Sequence, residues 1–391
     1  MIQKSKIAIF DFPGHPFQYQ LASYLSLNYE NKIFHIHNPK QLGPKSFFES
    51  NRNLEIIKVS KNFSKNFYKR FLDEIVYSFQ ICYTILKIKP NVIISSNSPL
   101  IPQLFLFILC KMLGIKFIFW LQDIISIAAK EILSKNRNFF KNLVFNFFSK
   151  IEFFILKNSY HVVTISEDFD KILISNNVKN EKITCIPNWS PLEDIPMLDK
   201  SNSFSIKNNL QDSFNILYSG TLGFKHNPDI ILNLSKFLID NKKDAKIIIV
   251  SEGHVVDYIK SESKKNKLNN IIFLPFQDFN IFPEVLASAD VSLVMLEKSA
   301  GQFSVPSKLL SILCSGRIPI LHVSKNNLSS RIVINNNCGF SLDNQSELNN
   351  RILDIYQNKD QYSQIALNAR KYAEENFDIK IISKKFLDII F

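Results

Sequence analysis

The sequence has few cysteines, and their arrangement excludes the usual cysteine-based sites. There are five in 391 residues, an odd number, and none of them stand at the spacing of zinc ligands. This pattern argues against a disulfide framework and predicts reduced thiols in a cytosolic protein. Cys110, Cys185 and Cys314 lie in apolar runs, where we expect buried small side chains.

Long uncharged runs are also scarce. Residues 91–110 carry no charge, but they contain three serines, Asn97 and the prolines Pro99 and Pro102. These residues divide the run into a strand, a turn and a short helix, so we interpret it as soluble core and not as a membrane span. Residues 1–10 lead directly into a strand and lack the apolar core and cleavage site of an export leader, so we expect no export.

Acidic residues are outnumbered by basic ones. The formal net charge of +12 and the isoelectric point near 9.2 predict an anionic partner, which could be nucleic acid, a membrane surface or a phosphorylated substrate. An AT-rich coding sequence would also enrich Lys, Asn, Ile and Phe, and it accounts for part of the excess. The 46% apolar content excludes disorder, and 391 residues are enough for two domains.

Short apolar runs alternate with helical patterns along the whole chain. In the first half, the predicted strands are 7–12, 32–37, 54–59, 92–96, 117–121, 162–165 and 183–187. In the second half, they are 215–218, 246–250, 271–274, 291–296, 318–323 and 338–342. Strands that are apolar throughout, with helices between them, are typical of a parallel sheet covered on both faces. The sequence therefore predicts an α/β protein with two doubly wound domains.

A segment without periodicity separates the two halves. Residues 189–203 contain Pro191, Pro196 and several turn residues. We expect the following division: an N-terminal domain at 1–190, a linker at 191–212, a C-terminal domain at 213–375 and a final helix at 376–391. Ligands of such sheets bind beyond the carboxyl ends of the strands, so two facing domains would hold a substrate in a cleft.

Residues 301–320 combine a helix start with a composition suited to an anion. They follow the predicted strand 291–296, and Pro306, Ser307 and Lys308 form the predicted first turn of an apolar-periodic helix. Unpaired N–H groups at such a helix start carry partial positive charge, to which Ser307 adds a hydroxyl and Lys308 a full charge. This pattern suits a phosphate group, and it is also ordinary helix punctuation.

Five stretches, in order along the chain, indicate a family. They are Phe119-Trp-Leu-Gln-Asp123, Cys185-Ile-Pro-Asn-Trp189, Tyr218-Ser-Gly-Thr-Leu-Gly-Phe-Lys225, Leu274-Pro-Phe-Gln277 followed by Leu286-Ala-Ser-Ala-Asp290, and Val305-Pro-Ser-Lys-Leu-Leu-Ser-Ile-Leu-Cys-Ser-Gly-Arg-Ile-Pro-Ile320. Together they resemble the retaining nucleotide-sugar glycosyltransferases of family 4, and in particular the bacterial branch that builds O-antigen, colanic acid and capsule. The resemblance covers nearly the whole chain and is strongest in its second half.

The resemblance implies the GT-B fold, in which two Rossmann-like domains face a cleft and the last helix packs back on the N-terminal domain. It implies a UDP-sugar donor, a lipid-linked saccharide acceptor, and neither a cofactor nor a bound metal. Residues expected in catalysis are Lys308, Lys225, Asp123 and His15. Residues expected to contact substrate are Gly14, Gln122, Gly220, Gly223, Glu252, Phe276, Gln277, Gln302, Phe303, Ser304, Pro306, Ser307 and Ser311.

The matched positions imply distinct roles. The two lysines would stabilise the negative charge that develops on the leaving diphosphate. The loop with Phe276 corresponds to the nucleobase site of the family, and Gly220 would let a loop approach the phosphates closely. Either His15 or Asp123 could orient the acceptor hydroxyl or take its proton.

The chain departs from the family pattern at several positions. Many members place two glutamates around the donor sugar and ribose, and the corresponding residues here are Phe303 and Ser311. Thr221 stands where many relatives carry an arginine, and Ser251 replaces a glycine before Glu252. These departures leave the identity of the donated sugar open.

Residues 139–157 have a composition that suits an anionic membrane surface. Apolar side chains stand at 140, 143, 144, 147, 148, 151, 154 and 155, with Lys141, Lys150 and Lys157 off that stripe and further phenylalanines beside it. We expect an interfacial helix that holds a cytoplasmic protein peripherally at the inner membrane face. The alternative is a core helix of the first domain. Nucleic acid is not expected as the partner, because no binding module is recognisable.

Two other functions are compatible with this sequence. A nucleotide-sugar epimerase of the same fold would need acid and base groups clustered at the sugar, and the chain offers few histidines. A non-catalytic scaffold, docked at the membrane in a polysaccharide assembly complex, would account for the missing glutamates and arginine.

Overall fold

The structure is a computed structural model that describes residues 5–40, 48–64, 66–96, 98–124, 126, 139–223, 226–297 and 306–391. These residues form two compact units. The first comprises Met1–Asn188 together with Ile379–Phe391, and the second comprises Trp189–Asp378. Each unit is a parallel sheet with helices on both faces.

The first unit alternates strands and helices. Its elements are β1 (Lys6–Asp11), α1 (Pro16–Asn28), β2 (Lys32–His37), β3 (Leu54–Lys58), α2 (Phe67–Ile88), β4 (Val92–Ser96), α3 (Leu100–Leu113), β5 (Lys116–Leu121), α4 (Phe139–Asn158), β6 (His161–Thr164), α5 (Glu167–Ser175) and β7 (Ile183–Cys185). The strand order is β3-β2-β1-β4-β5-β6-β7. The chain order reverses between β1 and β4, and ligands of open parallel sheets bind beyond the carboxyl ends of strands at such a point.

The second unit repeats the scheme. Its elements are α6 (Ser203–Lys207), β8 (Phe214–Ser219), α7 (Asp229–Asp240), β9 (Ala245–Val250), α8 (His254–Lys265), β10 (Ile271–Leu274), α9 (Phe282–Ala287), β11 (Val291–Met295), α10 (Lys308–Cys314), β12 (Ile318–His322), α11 (Leu328–Asn335), β13 (Phe340–Ser341), α12 (Gln345–Gln357) and α13 (Ser363–Asn376). The strand order is β10-β9-β8-β11-β12-β13, so the chain order reverses between β8 and β11.

The final helix, α14 (Ile379–Ile390), belongs to the first unit although it follows the second in the chain. The ring of Phe386 lies 4.8 Å from that of Trp120 on β5, and the Lys116 Nζ donates to the carbonyl oxygen of Ile390 at 2.9 Å. Both aromatic side chains are fully buried, so α14 completes the core of the first unit.

A buried carboxylate ties the second unit together at the amino end of its sheet. Asp290 precedes β11 and accepts from the backbone N–H of Asn215 at 2.8 Å. Its two oxygens also pair with Lys200 and Lys359, each at 2.5 Å. The aspartate at the end of the Leu286 to Asp290 motif therefore has a structural role, because charge pairing on both oxygens compensates its burial.

The strands agree closely with the sequence predictions. All thirteen predicted strands are present, with bounds that differ by at most two residues. The uncharged run at 91–110 divides into β4 and α3, as predicted. Residues 191–212, expected as a linker, fold with the second unit and include α6.

Two details differ from the sequence predictions. Cys185 is only half-buried, whereas Cys110 and Cys314 are buried; all five cysteines are free. Pro306 and Ser307 lie before α10 in a turn whose N–H bonds reach back three residues, so the regular helix begins at Lys308. In the part of the chain that the structure describes, no helix is long and apolar enough to cross a membrane.

Candidate active site

Lys308 lies across the carboxyl end of β8, at the reversal point of the second sheet. A Cβ atom built on Gly220 would lie 2.7 Å from the Lys308 Cε, so any larger residue at 220 would displace the end of this lysine side chain. Gly220 also has φ +118°, a conformation that side chains disfavour. The Lys308 Nζ lies 5.4 Å from the ring centroid of Tyr218. The sequence motifs around 220 and 308 therefore meet in space.

Ser307 and Pro306 lead the chain into α10 at the same edge. Ser307 is exposed, and its side chain makes no capping hydrogen bond to the helix. One turn further, the Ser311 hydroxyl lies 3.0 Å from the hydroxyl of Ser190. Ser311 therefore contacts the start of the second unit through Ser190. It occupies the position at which many members of the family that the sequence resembles carry a glutamate.

Glu252 follows β9 and is joined to the loop after β10. Its Oε1 accepts from the backbone N–H of Phe276 at 3.1 Å. The Gln277 side chain turns back on its own loop and donates to the carbonyl of Pro275 at 2.7 Å. Glu252, Phe276 and Gln277 therefore form one surface at the carboxyl ends of β9 and β10, adjacent to β8 in the sheet.

His226 holds the loop after β8, and sequence reasoning missed it. Its Nδ1 accepts from the backbone N–H of Gly223 at 2.8 Å, and its ring is buried. Because Nδ1 accepts, the proton of the neutral ring is on Nε2. The signal was present in the sequence, since His226 directly follows the motif that ends at Lys225.

In the first unit, a buried carboxylate and a histidine stand at the carboxyl end of β1. Asp11 is fully buried, and the His15 Nδ1 lies 3.1 Å from its Oδ1. The backbone N–H of His15 also donates to Asp11. The side chain of His15 is 32% exposed, so part of it is accessible from outside the protein.

Gln18 and Ser96 complete this cluster. With its nitrogen facing Asp11, the buried Gln18 amide donates to Oδ1 at 2.7 Å, and its oxygen accepts from the Ser96 hydroxyl. Gln18 is on α1 and Ser96 ends β4, so the cluster joins both strands of the reversal point. Sequence reasoning missed Asp11, Gln18 and Ser96.

The cluster changes the protonation of its members. Burial alone would lower the pKa of His15, but the negative charge and hydrogen bonds of Asp11 outweigh it and raise that pKa. Burial would raise the pKa of Asp11, but the charge and hydrogen bonds of His15 lower it overall. The pair thus favours an imidazolium next to a carboxylate.

The other predicted residues of the first unit lie nearby. Asp123 follows β5 and is exposed, and its charge also raises the pKa of His15. The Gln122 side chain exchanges two hydrogen bonds with that of Asn188, at 3.1 and 2.5 Å. Gly14 has φ +77°, and a Cβ there would lie 3.1 Å from the Phe48 ring.

Some predicted site residues lie outside the described part of the chain. These are Lys225, Gln302, Phe303 and Ser304. Among the described residues, no group of three or more His, Cys, Asp or Glu side chains is arranged to hold a metal ion.

Comparison with known proteins relates the second unit to one family. Residues 199–372 match the family described as glycosyl transferases group 1. WcaI of Escherichia coli (strain K12), assigned as a colanic acid biosynthesis glycosyl transferase, is 28% identical over 166 residues, 41% of this chain and 40% of that protein. The match thus spans less than half of that relative.

Solved structures share the whole fold. Sucrose-phosphate synthase from Thermosynechococcus elongatus superposes with a TM-score of 0.77 at 13% identity, over 98% of each chain. HepE from Anabaena in complex with UDP-glucose superposes with a TM-score of 0.70 at 14% identity, also over 98% of each chain. At these identities the likeness concerns the fold alone, which is the GT-B fold of two Rossmann-like domains.

Proposed function

We propose that this protein is a retaining glycosyltransferase of family 4. The proposal starts from the match of residues 199–372 to the group 1 glycosyl transferases. The protein transfers a hexose or an N-acetylated sugar from a UDP-sugar to a lipid-linked saccharide in surface polysaccharide biosynthesis. The identity to WcaI supports the pathway, and the UDP-glucose bound by HepE supports the donor class.

The observation that carries this proposal is Lys308 lying over Gly220 at the reversal point of the second sheet. A lysine at this edge can neutralise the diphosphate of a nucleotide sugar. Charge on the diphosphate grows as the sugar departs, so Lys308 accelerates the reaction as well as binding the donor. Lys225 supplies a second cation, and this electrostatic role needs no metal ion.

Glu252, Phe276 and Gln277 are suited to the nucleoside. The face of Phe276 offers a stacking surface for the base, and the Glu252 hydrogen bond to its N–H fixes the loop. Retention follows in our proposal from attack on the same face of the sugar, assisted by the departing phosphate. No nucleophile of the protein takes part.

His15 and Asp123 serve the acceptor. Asp11 holds the His15 ring through Nδ1, and the partly exposed ring contacts the acceptor hydroxyl and exchanges a proton with it. A lipid-linked acceptor requires a cytoplasmic protein bound peripherally at the inner membrane face. Exposed Phe147 and Phe154, with Lys150 and Lys157 on the same helix, support contact with an anionic membrane.

Donor turnover tests the proposal. Purified protein is incubated with a panel of UDP-sugars, with and without a lipid-linked saccharide acceptor, and products are identified by mass spectrometry and NMR. We expect transfer with the anomeric configuration retained. Lys308→Ala should lower turnover about ten-fold or more, because a charge-assisted contact to the leaving phosphate is lost.

Lys264→Ala is the matched control, because Lys264 is an exposed lysine in the last turn of α8, which runs from the carboxyl edge of the sheet back to its amino edge. Three outcomes contradict the proposal. Absence of binding and turnover over the whole panel excludes the enzyme. Conversion of the donor to its epimer without acceptor identifies an epimerase. Normal polysaccharide formation in cells that carry Lys308→Ala identifies a scaffold.

A further inference from the structure

Helix α2 presents an apolar stripe on the outside of the first unit. Six large side chains of this helix are 44% to 79% exposed: Tyr68, Leu72, Val76, Phe79, Tyr83 and Leu86. At about 100° per residue, these positions fall within an arc of about 80° and form one stripe about 27 Å long. The opposite side of α2 packs on the core through buried Tyr77, Ile81 and Ile85.

The stripe adjoins the next helix, and a buried contact joins that helix to α4. The ring of Phe79 lies 5.6 Å from that of the half-buried Phe105 on α3. Phe107 of α3 is buried and lies 5.8 Å from Phe154 of α4, which is itself exposed. Met112 on α3 is 78% exposed. Continuous exposed apolar surface of this kind marks a docking site, whereas isolated apolar residues are ordinary surface.

The charge around this three-helix surface is positive. Six exposed lysines stand on α2, α3 and α4 or directly after them: Lys69, Lys87, Lys89, Lys111, Lys150 and Lys157. The three helices contain only three carboxylates. Asp73 and Glu74 are each paired with a basic side chain, at 2.9 and 3.3 Å, and Glu152 is buried. The surface is therefore both apolar and cationic.

One lysine adjoins the stripe itself. The Lys87 Nζ lies 4.6 Å from the ring centroid of Tyr83. Helices at a membrane surface combine aromatic rings at the level of the lipid headgroups with cations that contact lipid phosphates. The pairing of Tyr83 with Lys87 has this chemistry.

We infer that α2, with the adjoining faces of α3 and α4, binds an anionic lipid bilayer and that the stripe enters the boundary between headgroups and acyl chains. A second copy of this chain is a poorer occupant, because a two-fold interface would bring the same lysines together. Nucleic acid is also poorer, because Leu72, Val76 and Leu86 offer nothing to phosphates or bases. The inference rests on the proposed function in one respect: a lipid-linked acceptor is the reason for this protein to bind a membrane.

Vesicle flotation of the full chain tests this inference without any donor sugar. Wild type should float with vesicles that contain phosphatidylglycerol and remain unbound with pure phosphatidylcholine. Leu72→Glu/Phe79→Glu should lower vesicle affinity about ten-fold or more, since two anchors are replaced by charges that anionic lipid repels. Raising salt from about 0.1 M to about 1 M shortens the Debye length from about 10 to about 3 Å and should also weaken binding.

Ile334→Glu/Leu367→Glu is the matched control, because it adds the same charges at exposed apolar positions of the second unit. Lys87→Gln/Lys111→Gln leaves the apolar stripe intact. It should weaken binding to vesicles that contain phosphatidylglycerol, because two cations that contact lipid phosphates are lost. Flotation of the stripe variant equal to wild type overturns the inference, as does absence of flotation by wild type. A stripe variant that binds vesicles normally but loses a dimer in light scattering would identify a second copy as the occupant.

Discussion

At the scale of single residues, Asp11 determines the orientation and the pKa of His15. The carboxylate is buried, touches the ring at Nδ1 and receives a further hydrogen bond from Gln18. A histidine held in this way keeps one tautomer and one orientation, which is what proton exchange with an acceptor hydroxyl requires. The cluster therefore makes a specific prediction about the pH dependence of transfer.

Asp11→Asn should shift the pH profile of transfer. The carboxylate raises the pKa of His15, so its removal should move the limb that belongs to this histidine to lower pH. His15→Ala should lower kcat on the order of a hundred-fold, the lower range for a lost general acid or base. The measurement is the rate of transfer from about pH 5 to about pH 9, with saturating donor.

His161→Gln is the control, since His161 begins β6 and lies at the amino end of the same sheet, whereas His15 follows the carboxyl end of β1. It should leave the profile unchanged. An unshifted profile in Asp11→Asn, with normal folding, would assign Asp11 to structure alone.

His35 makes a separate prediction, for stability. It is fully buried on β2, and neither ring nitrogen has a hydrogen-bond partner among the described residues. Burial lowers the pKa of His35 to about 4 from 6.5. Between these values the unfolded chain binds a proton that the folded chain excludes, so stability falls as pH falls through this window.

His35→Phe should remove this dependence. The free energy of unfolding of wild type should fall by on the order of 3 kcal/mol, relative to His35→Phe, between about pH 7 and about pH 4. Urea unfolding over this range measures the difference. A constant difference between the two proteins at all pH values would show that His35 does not titrate in this way.

Among the elements, α14 makes the clearest prediction about stability. Phe386 is fully buried and its ring lies 4.8 Å from that of Trp120. Phe386→Ala should destabilise the first unit by about 3 to 5 kcal/mol, because it leaves a cavity beside β5. Trp120 and Trp189 are the two tryptophans of the sequence and lie in different units, so Trp189→Phe chains report the first unit by fluorescence.

Phe391→Ala removes the same atoms from a side chain that is 62% exposed, and it should change stability by less than about 0.5 kcal/mol. Urea unfolding in the Trp189→Phe background compares the two. Equal effects of both substitutions would contradict the packing of α14 described above.

The elements were predictable where one periodicity dominates. Strands such as β4 and β11 are buried at every position because both faces of a parallel sheet are covered. Their mostly apolar runs therefore predict buried parallel strands. The outer stripe of α2 was not recognised. This helix is apolar on two opposite faces, and such a pattern predicts a helix that is buried on all sides. The exposed Leu143, Phe147 and Phe154 of α4 belong to the apolar pattern that the sequence did indicate.

For the whole molecule, the fold was predictable and the candidate site only partly so. Gly220, Glu252, Phe276 and Lys308 stand in family-like motifs, and the structure brings them to one edge of the second sheet. The Asp11 cluster was missed, since it unites residues from β1, α1 and β4 that lie between positions 11 and 96 of the sequence. Without periodicity or motif, only the strand order reveals that such residues meet.

The position of α14 has a consequence for synthesis. The first unit lacks the helix that covers Trp120 until the ribosome has translated all of the second unit, residues 189–378. At about 5 to 20 residues per second, this delay is on the order of ten seconds or more. During that interval the side of the sheet that α14 covers is exposed, so the nascent first unit is a substrate for chaperones that bind apolar surface.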